Sequence, residues 1–225
     1  MSLLPENLVV YGGFNTSRKS LERVAHEVFR MGFTGTEEAN FKAFTLSDWA
    51  HKEEEAAEAA NGSLVLAHSL GNLMWRQLVE RKIVPSGIMA LNRTEPANIN
   101  QLVSGVTRRS AHHLRLGLEG GQFGQEHQQI AIDTKQMFIP FNGQGRILEA
   151  LHYSSDHYLE ELGEKAPTVA LISGLDEFGE PYERLGQASN VLYVQDDVHC
   201  HDGILYDRRG TLDIIASTEV LPRAA

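Results

Sequence analysis

Ser69 is the residue whose surroundings most resemble a site of chemistry. It sits in Leu64-Val65-Leu66-Ala67-His68-Ser69-Leu70-Gly71-Asn72, where a buried apolar run meets an amphipathic helical pattern at a serine flanked by small residues two before and two after it. Such a sharp turn forces the serine into a strained conformation and projects its hydroxyl above the sheet edge, where it can act as a nucleophile. The helix that follows favours negative charge developing nearby. Ala67 stands where the usual Gly-x-Ser-x-Gly pattern has glycine, and it is the smallest replacement. Gly12-Gly13, after Leu8-Val9-Val10-Tyr11, lets backbone amides approach a substrate oxygen closely. The amides of Gly13 and Leu70 are the expected oxyanion donors. A third cluster, Asp196-Asp197-Val198-His199-Cys200-His201-Asp202, is dense in groups that could move protons or bind a metal. No partner pair at zinc-like spacing accompanies it, so no metal and no cofactor is expected. Cys200 as a nucleophile would need an activating partner elsewhere.

These residues need elements to position them. Short apolar runs at Leu8–Tyr11, Leu64–Ala67, Gly87–Leu91, Thr168–Ile172 and Val191–Val194 read as strands covered on both faces, as in a parallel sheet. Leu21, Val24, Ala25, Val28 and Phe29 recur at helical spacing, which predicts a helix from about 18 to 31. Residues 47–60 are rich in helix formers, with Ser47 read as the N-cap. Leu70, Leu73, Met74, Leu78 and Val79 predict a helix directly after Ser69. Strand and helix alternate, the signature of a doubly wound α/β sheet. Residues 94–166 break that alternation and read as a mostly helical cap inserted into a core of 1–93 and 167–225. Its histidines, His112, His113, His152 and His157, read as exposed polar groups rather than ligands.

Taken together, the segments resemble the α/β-hydrolase superfamily over most of the chain outside residues 94–166. The resemblance implies an α/β fold with a mostly parallel sheet of about six strands, shortened at the N-terminus, under a helical cap. It also implies a serine hydrolase that cleaves a carboxylic ester or thioester through an acyl-enzyme on Ser69. The family's order of nucleophile, acid and histidine nominates Asp176, in Ile172-Ser173-Gly174-Leu175-Asp176-Glu177, with adjacent Glu177 as the alternative acid. It places the base after the last strand, at His199 in preference to His201, with both left open. The histidine that commonly precedes the oxyanion glycine in this family is replaced here by Tyr11. Two other readings share the fold: a non-catalytic protein that binds a small ligand, and a non-hydrolytic enzyme such as a lyase or cofactor-free haloperoxidase.

Composition narrows the partners. Twenty basic residues against thirty acidic ones give a net charge of −10, unsuited to nucleic acid or an anionic membrane. The single cysteine allows no internal disulfide, and Met1–Asn7 has neither a basic start nor a long apolar run. A cytoplasmic protein with no membrane span, acting on a small molecule, is the expectation. Oligomeric state is not legible in the sequence.

Overall fold

The structure is a computed structural model that describes residues 4–13, 16–35, 40–93, 156–178 and 188–224, with scattered positions between 100 and 115. Most of the expected cap, and the readings of His112, His113 and His152, lie outside the described residues.

Six parallel strands form one sheet in the order β2-β1-β3-β4-β5-β6. They are β1 (Asn7–Tyr11), β2 (Asn40–Phe44), β3 (Leu64–Ser69), β4 (Gly87–Arg93), β5 (Thr168–Leu175) and β6 (Leu192–Cys200). The chain steps outward from β1 to β2, then returns across β1 to start β3 on its other side. Such a reversal opens a crevice beyond the carboxyl ends of β1 and β3, where open α/β sheets place ligands.

The strands are apolar on both faces because both faces are covered. Leu8 and Val10 of β1 pack with Leu64 and Leu66 of β3 and with Met89 and Leu91 of β4 in one core layer. Val9 and Tyr11 pack with Val65, Ala67, Ile88 and Ala90 in the other. This is the two-residue period of a strand written into two cores. Each fully buried aliphatic side chain contributes about 1.5–3 kcal/mol. Helix α1 (Arg18–Arg30) supplies Leu21, Val24, Ala25 and Val28 to the first layer. The second layer is closed by α2 (Leu46–His51), α3 (Glu53–Ala59), α4 (Met74–Glu80) and α5 (Asp156–Gly163). Leu159 and Leu162 of α5 are fully buried there, so the end of the 94–166 segment covers the sheet directly. A one-turn helix, α6 (Gly203–Tyr206), and α7 (Arg208–Ala216) complete the described chain on the α1 side.

Three expectations need correction. The edge strand β2, Asn-Phe-Lys-Ala-Phe, has no counterpart among the expected strands, because a half-exposed edge strand lacks the continuous apolar run of its neighbours. The helix expected over 47–60 is two helices broken at Lys52, and its cap is Thr45 rather than Ser47. The Thr45 hydroxyl accepts from the Asp48 amide while the Asp48 carboxylate accepts from the Thr45 amide, a reciprocal capping box. Starting there lets Leu46 and Trp49, three apart, both bury. Finally, β6 runs on to Cys200 instead of stopping at Val194. The polar residues that suggested a loop are absorbed by side-chain hydrogen bonds: the Val198 amide donates to Asp196 at 2.8 Å, and Gln195 donates to Asp197 at 2.6 Å.

Candidate active site

Ser69 ends β3 with φ 57° and ψ −127°, a conformation that costs an L-residue roughly 1–3 kcal/mol and survives only when its surroundings enforce it. Three constraints enforce it here. A 3-10 turn, Leu70–Leu73, begins immediately and leads into α4. Gly71 lies so close to β1 that a Cβ on it would fall 2.4 Å from the Tyr11 carbonyl oxygen. Asn72, fully buried, donates to the carbonyls of Ser69 at 2.9 Å and Leu91 at 3.2 Å, and its own oxygen accepts from Trp75 Nε1 at 2.9 Å. Asn72 is thus a buckle for the turn. Its only trace in the sequence is an amide in an otherwise apolar helical start.

Gly13 is packed against this turn. A Cβ there would lie 2.4 Å from Ser69 Cβ, 2.7 Å from its Oγ and 2.8 Å from the Leu70 amide nitrogen. Only glycine brings the β1 backbone this near the hydroxyl and the Leu70 amide together. The preceding glycine is pinned: the Gly12 amide donates to Phe44 at 2.8 Å, and its carbonyl accepts from Trp49 Nε1 at 3.0 Å.

The acid and base candidates arrive from the other side. Asp176 follows β5 at once, and both of its carboxylate oxygens lie 2.9 Å from His201 Nδ1. Its Oδ1 also accepts from the Phe178 amide at 2.8 Å. Glu177 reaches the same residue differently, its carboxylate accepting from the His201 backbone amide at 3.2 Å. Phe178 meets the His201 ring edge-on at 4.7 Å. Burial works to lower the His201 pKa, but the Asp176 charge and hydrogen bond, with the charge of Asp202, outweigh it and hold it above the ordinary value.

His201 also touches the serine turn. His68, the residue before Ser69, stacks at 5.1 Å from the His201 ring, and its Nε2 lies 2.8 Å from the His201 carbonyl. That carbonyl accepts a second bond, at 2.8 Å, from Asn92 Nδ2. Burial, then the charge of His201, depress the His68 pKa to about 4. His68 is therefore a neutral donor.

The expected pairing of Asp176 with His199 does not occur. His199 bonds through Nδ1 to Asp196 and through Nε2 to Asp207, the latter at 2.8 Å. Both ring nitrogens are therefore committed to carboxylates other than Asp176. The strand continues further than expected, so His199 still lies in β6 while His201 stands just past its end.

Of the 196–202 cluster, His201 and Asp202 come together with His68, their ligand-type atoms within 4.8 Å of one another. Those atoms have other work. Asp202 grips buried Arg109 through both oxygens, at 2.6 and 3.0 Å, and the His rings bond to the His201 carbonyl and to Asp176. The Arg109 cation also opposes a second positive charge beside Asp202. Cys200 is buried, and that burial raises its thiol pKa to about 12, which keeps it from being a thiolate at neutral pH.

Solved structures share this architecture. The chain superposes on a hydrolase from Oleispira antarctica with TM-score 0.59 and 10% identity, covering 95% of this chain and 91% of that one. It superposes on a thermophilic esterase from Thermogutta terrifontis with TM-score 0.55 and 14% identity, over 98% and 92%. An enol-lactonase from Burkholderia xenovorans matches with TM-score 0.55 and 14% identity, over 96% and 91%. No family model matches the sequence, and a search of curated proteins finds no match either. The chain has the α/β-hydrolase fold.

Proposed function

We propose that the protein is a serine hydrolase acting on a carboxylic ester or thioester of a small molecule. The observation that carries this reading is Ser69, held at positive φ against Gly13 on the turn whose preceding residue, His68, contacts the Asp176-paired His201. In the proposed cycle, Ser69 Oγ attacks the acyl carbon and passes its proton to His201 Nε2. The amides of Gly13 and Leu70 receive the oxyanion. The proton then goes to the leaving alcohol or thiol as its bond to the acyl carbon breaks. A water gives its proton to His201, attacks the acyl-enzyme and releases the acid, and Ser69 regains its hydrogen. Asp176 holds Nδ1 protonated and stabilises the imidazolium. Glu177 anchors the backbone of the base rather than its ring, which argues for Asp176 as the acid. Hydrolase, esterase and lactonase neighbours of the same fold support this class of reaction.

The lone cysteine accords with the proposed cytoplasmic location. No helix among the described residues is long and apolar enough to cross a membrane.

The test is labelling with a fluorophosphonate probe together with hydrolysis of short p-nitrophenyl esters and thioesters. The native protein should label and turn over, and Ser69→Ala should do neither while keeping its melting temperature. Unchanged esterase activity in Ser69→Ala would overturn the reading. A native protein that binds small acids or esters without labelling would instead point to a ligand-binding protein on this fold.

A further inference from the structure

We infer that His68 is a positioning residue for the base, referencing His201 to the nucleophile's own strand through the His201 main-chain carbonyl. The inference rests on the reading of His201 as the base.

The reason lies in where His201 stands. The last pairing of β6 with the sheet is Cys200 with Leu175, across a register shift, so the ladder does not hold residue 201. Asp176 fixes the tautomer and one edge of the ring. It sits on the tip following β5, however, two strands away from β3 in the sheet. The main chain of His201 is held separately. Its amide donates to Glu177, and its carbonyl accepts from His68 and from Asn92. Asn92, at φ 39° on the end of β4, spans the neighbouring strands by accepting from the Ser173 amide at 2.9 Å while donating to Cys200 and His201. His68 alone among these donors is covalently adjacent to Ser69. Through it, a displacement of the serine turn carries the base with it. Placement of a reacting pair must hold to about 0.5 Å, and an error near 1 Å costs on the order of 10²-fold.

The kind of donor matters as well as its place. The imidazolium that forms on His201 would be opposed by a permanent cation whose ring is 5.1 Å away. A buried histidine kept neutral donates through Nε2 and adds no charge. Its Nδ1 has no hydrogen-bond partner among the described residues, so the donating nitrogen is the one the fold uses. The cost is a buried acceptor without a bond, tolerated at this position alone among the described histidines.

The test is a series of substitutions of His68. His68→Gln places a neutral amide donor near the old Nε2. His68→Phe and His68→Met keep an apolar side chain of similar bulk and remove the donor. For the folded donor-less variants we expect kcat on p-nitrophenyl esters to fall about 10- to 100-fold. KM should stay within about twofold, and fluorophosphonate labelling should slow in parallel with kcat. His68→Gln should restore most of the rate. Circular dichroism and melting temperature establish folding, and His68→Met serves if His68→Phe does not fold. Native-like kcat and labelling in either folded donor-less variant would overturn the inference, as would equal losses in His68→Gln and His68→Met. His201→Gln separates this from failure of the parent reading. If that variant keeps native activity, the base assignment has failed; if it is inactive while His68→Met is native-like, only the positioning role has failed.

Discussion

His199 and His201 lie two residues apart, and each presents Nδ1 to a carboxylate, yet the two pairs do different things. Asp196 is three residues from His199 on the same strand, and Asp207, the N-cap of α7, closes over its other nitrogen. The His199–Asp207 bond staples the beginning and end of the turn 199–207 to each other, and Gly203 packs directly on the His199 side chain. Asp176 is 25 residues from His201 and reaches it from a different strand. The local pair stiffens a loop. The long-range pair ties that loop to the sheet edge where Ser69 stands. Chain proximity makes a histidine–carboxylate pair easy to form, whereas placing one beside the Ser69 turn needs the sheet.

The contrast can be broken by exchanging the effects of equivalent substitutions. His201→Gln should lower kcat/KM on p-nitrophenyl esters by about 10⁴-fold or more in the proposed cycle, while His199→Gln stays within about tenfold of native. The reverse order would reassign the base to His199. Next in size, Asp176→Asn should cost about 10³- to 10⁴-fold in kcat by releasing the wrong tautomer of His201. Asp196→Asn should leave kcat nearly native and lower the melting temperature instead.

The pH dependence sharpens the same comparison. In the proposed cycle a protonated His201 cannot accept the Ser69 proton, and the His201 pKa is held above the ordinary value. The acid limb of kcat/KM should therefore fall above about pH 6.5, with activity rising as pH rises through it. An acid limb well below that value would mean that another group titrates. The smallest effect concerns His199. Burial lowers its pKa, but the hydrogen bonds and charges of Asp207 and Asp196 outweigh this, so the folded value is raised. Its contribution to stability is then fully present below its unfolded pKa, about 6.5, and is lost as pH rises through the folded value. The melting-temperature gap between native and His199→Gln should narrow as pH rises above about 6.5. A gap that widened would contradict the sign.

Much of this molecule was legible before any fold. The apolar runs of β1, β3, β4 and β5 announce strands covered on both faces, since only burial on both sides tolerates unbroken hydrophobicity. Ala67-His68-Ser69-Leu70-Gly71 announces its turn through the small residues that close packing demands, and Gly71 and Gly13 are where a Cβ would collide. These are local requirements, written in neighbouring residues. What the sequence could not settle depends on contacts between distant segments. It showed two histidines in one acidic stretch but not which of them meets Asp176. It also showed β6 as a short strand, because the residues that extend it are polar and the ladder that carries them, Ile172 with Gln195, Ser173 with Asp196 and Leu175 with Cys200, is supplied by β5. His68 fills an open position of the serine motif, and Asn72 and Asn92 belong to no motif. Each bonds a backbone carbonyl or amide of another strand or its end, at 2.8 to 3.2 Å, that only the assembled sheet brings near, and a main-chain group is the same at every residue of the sequence.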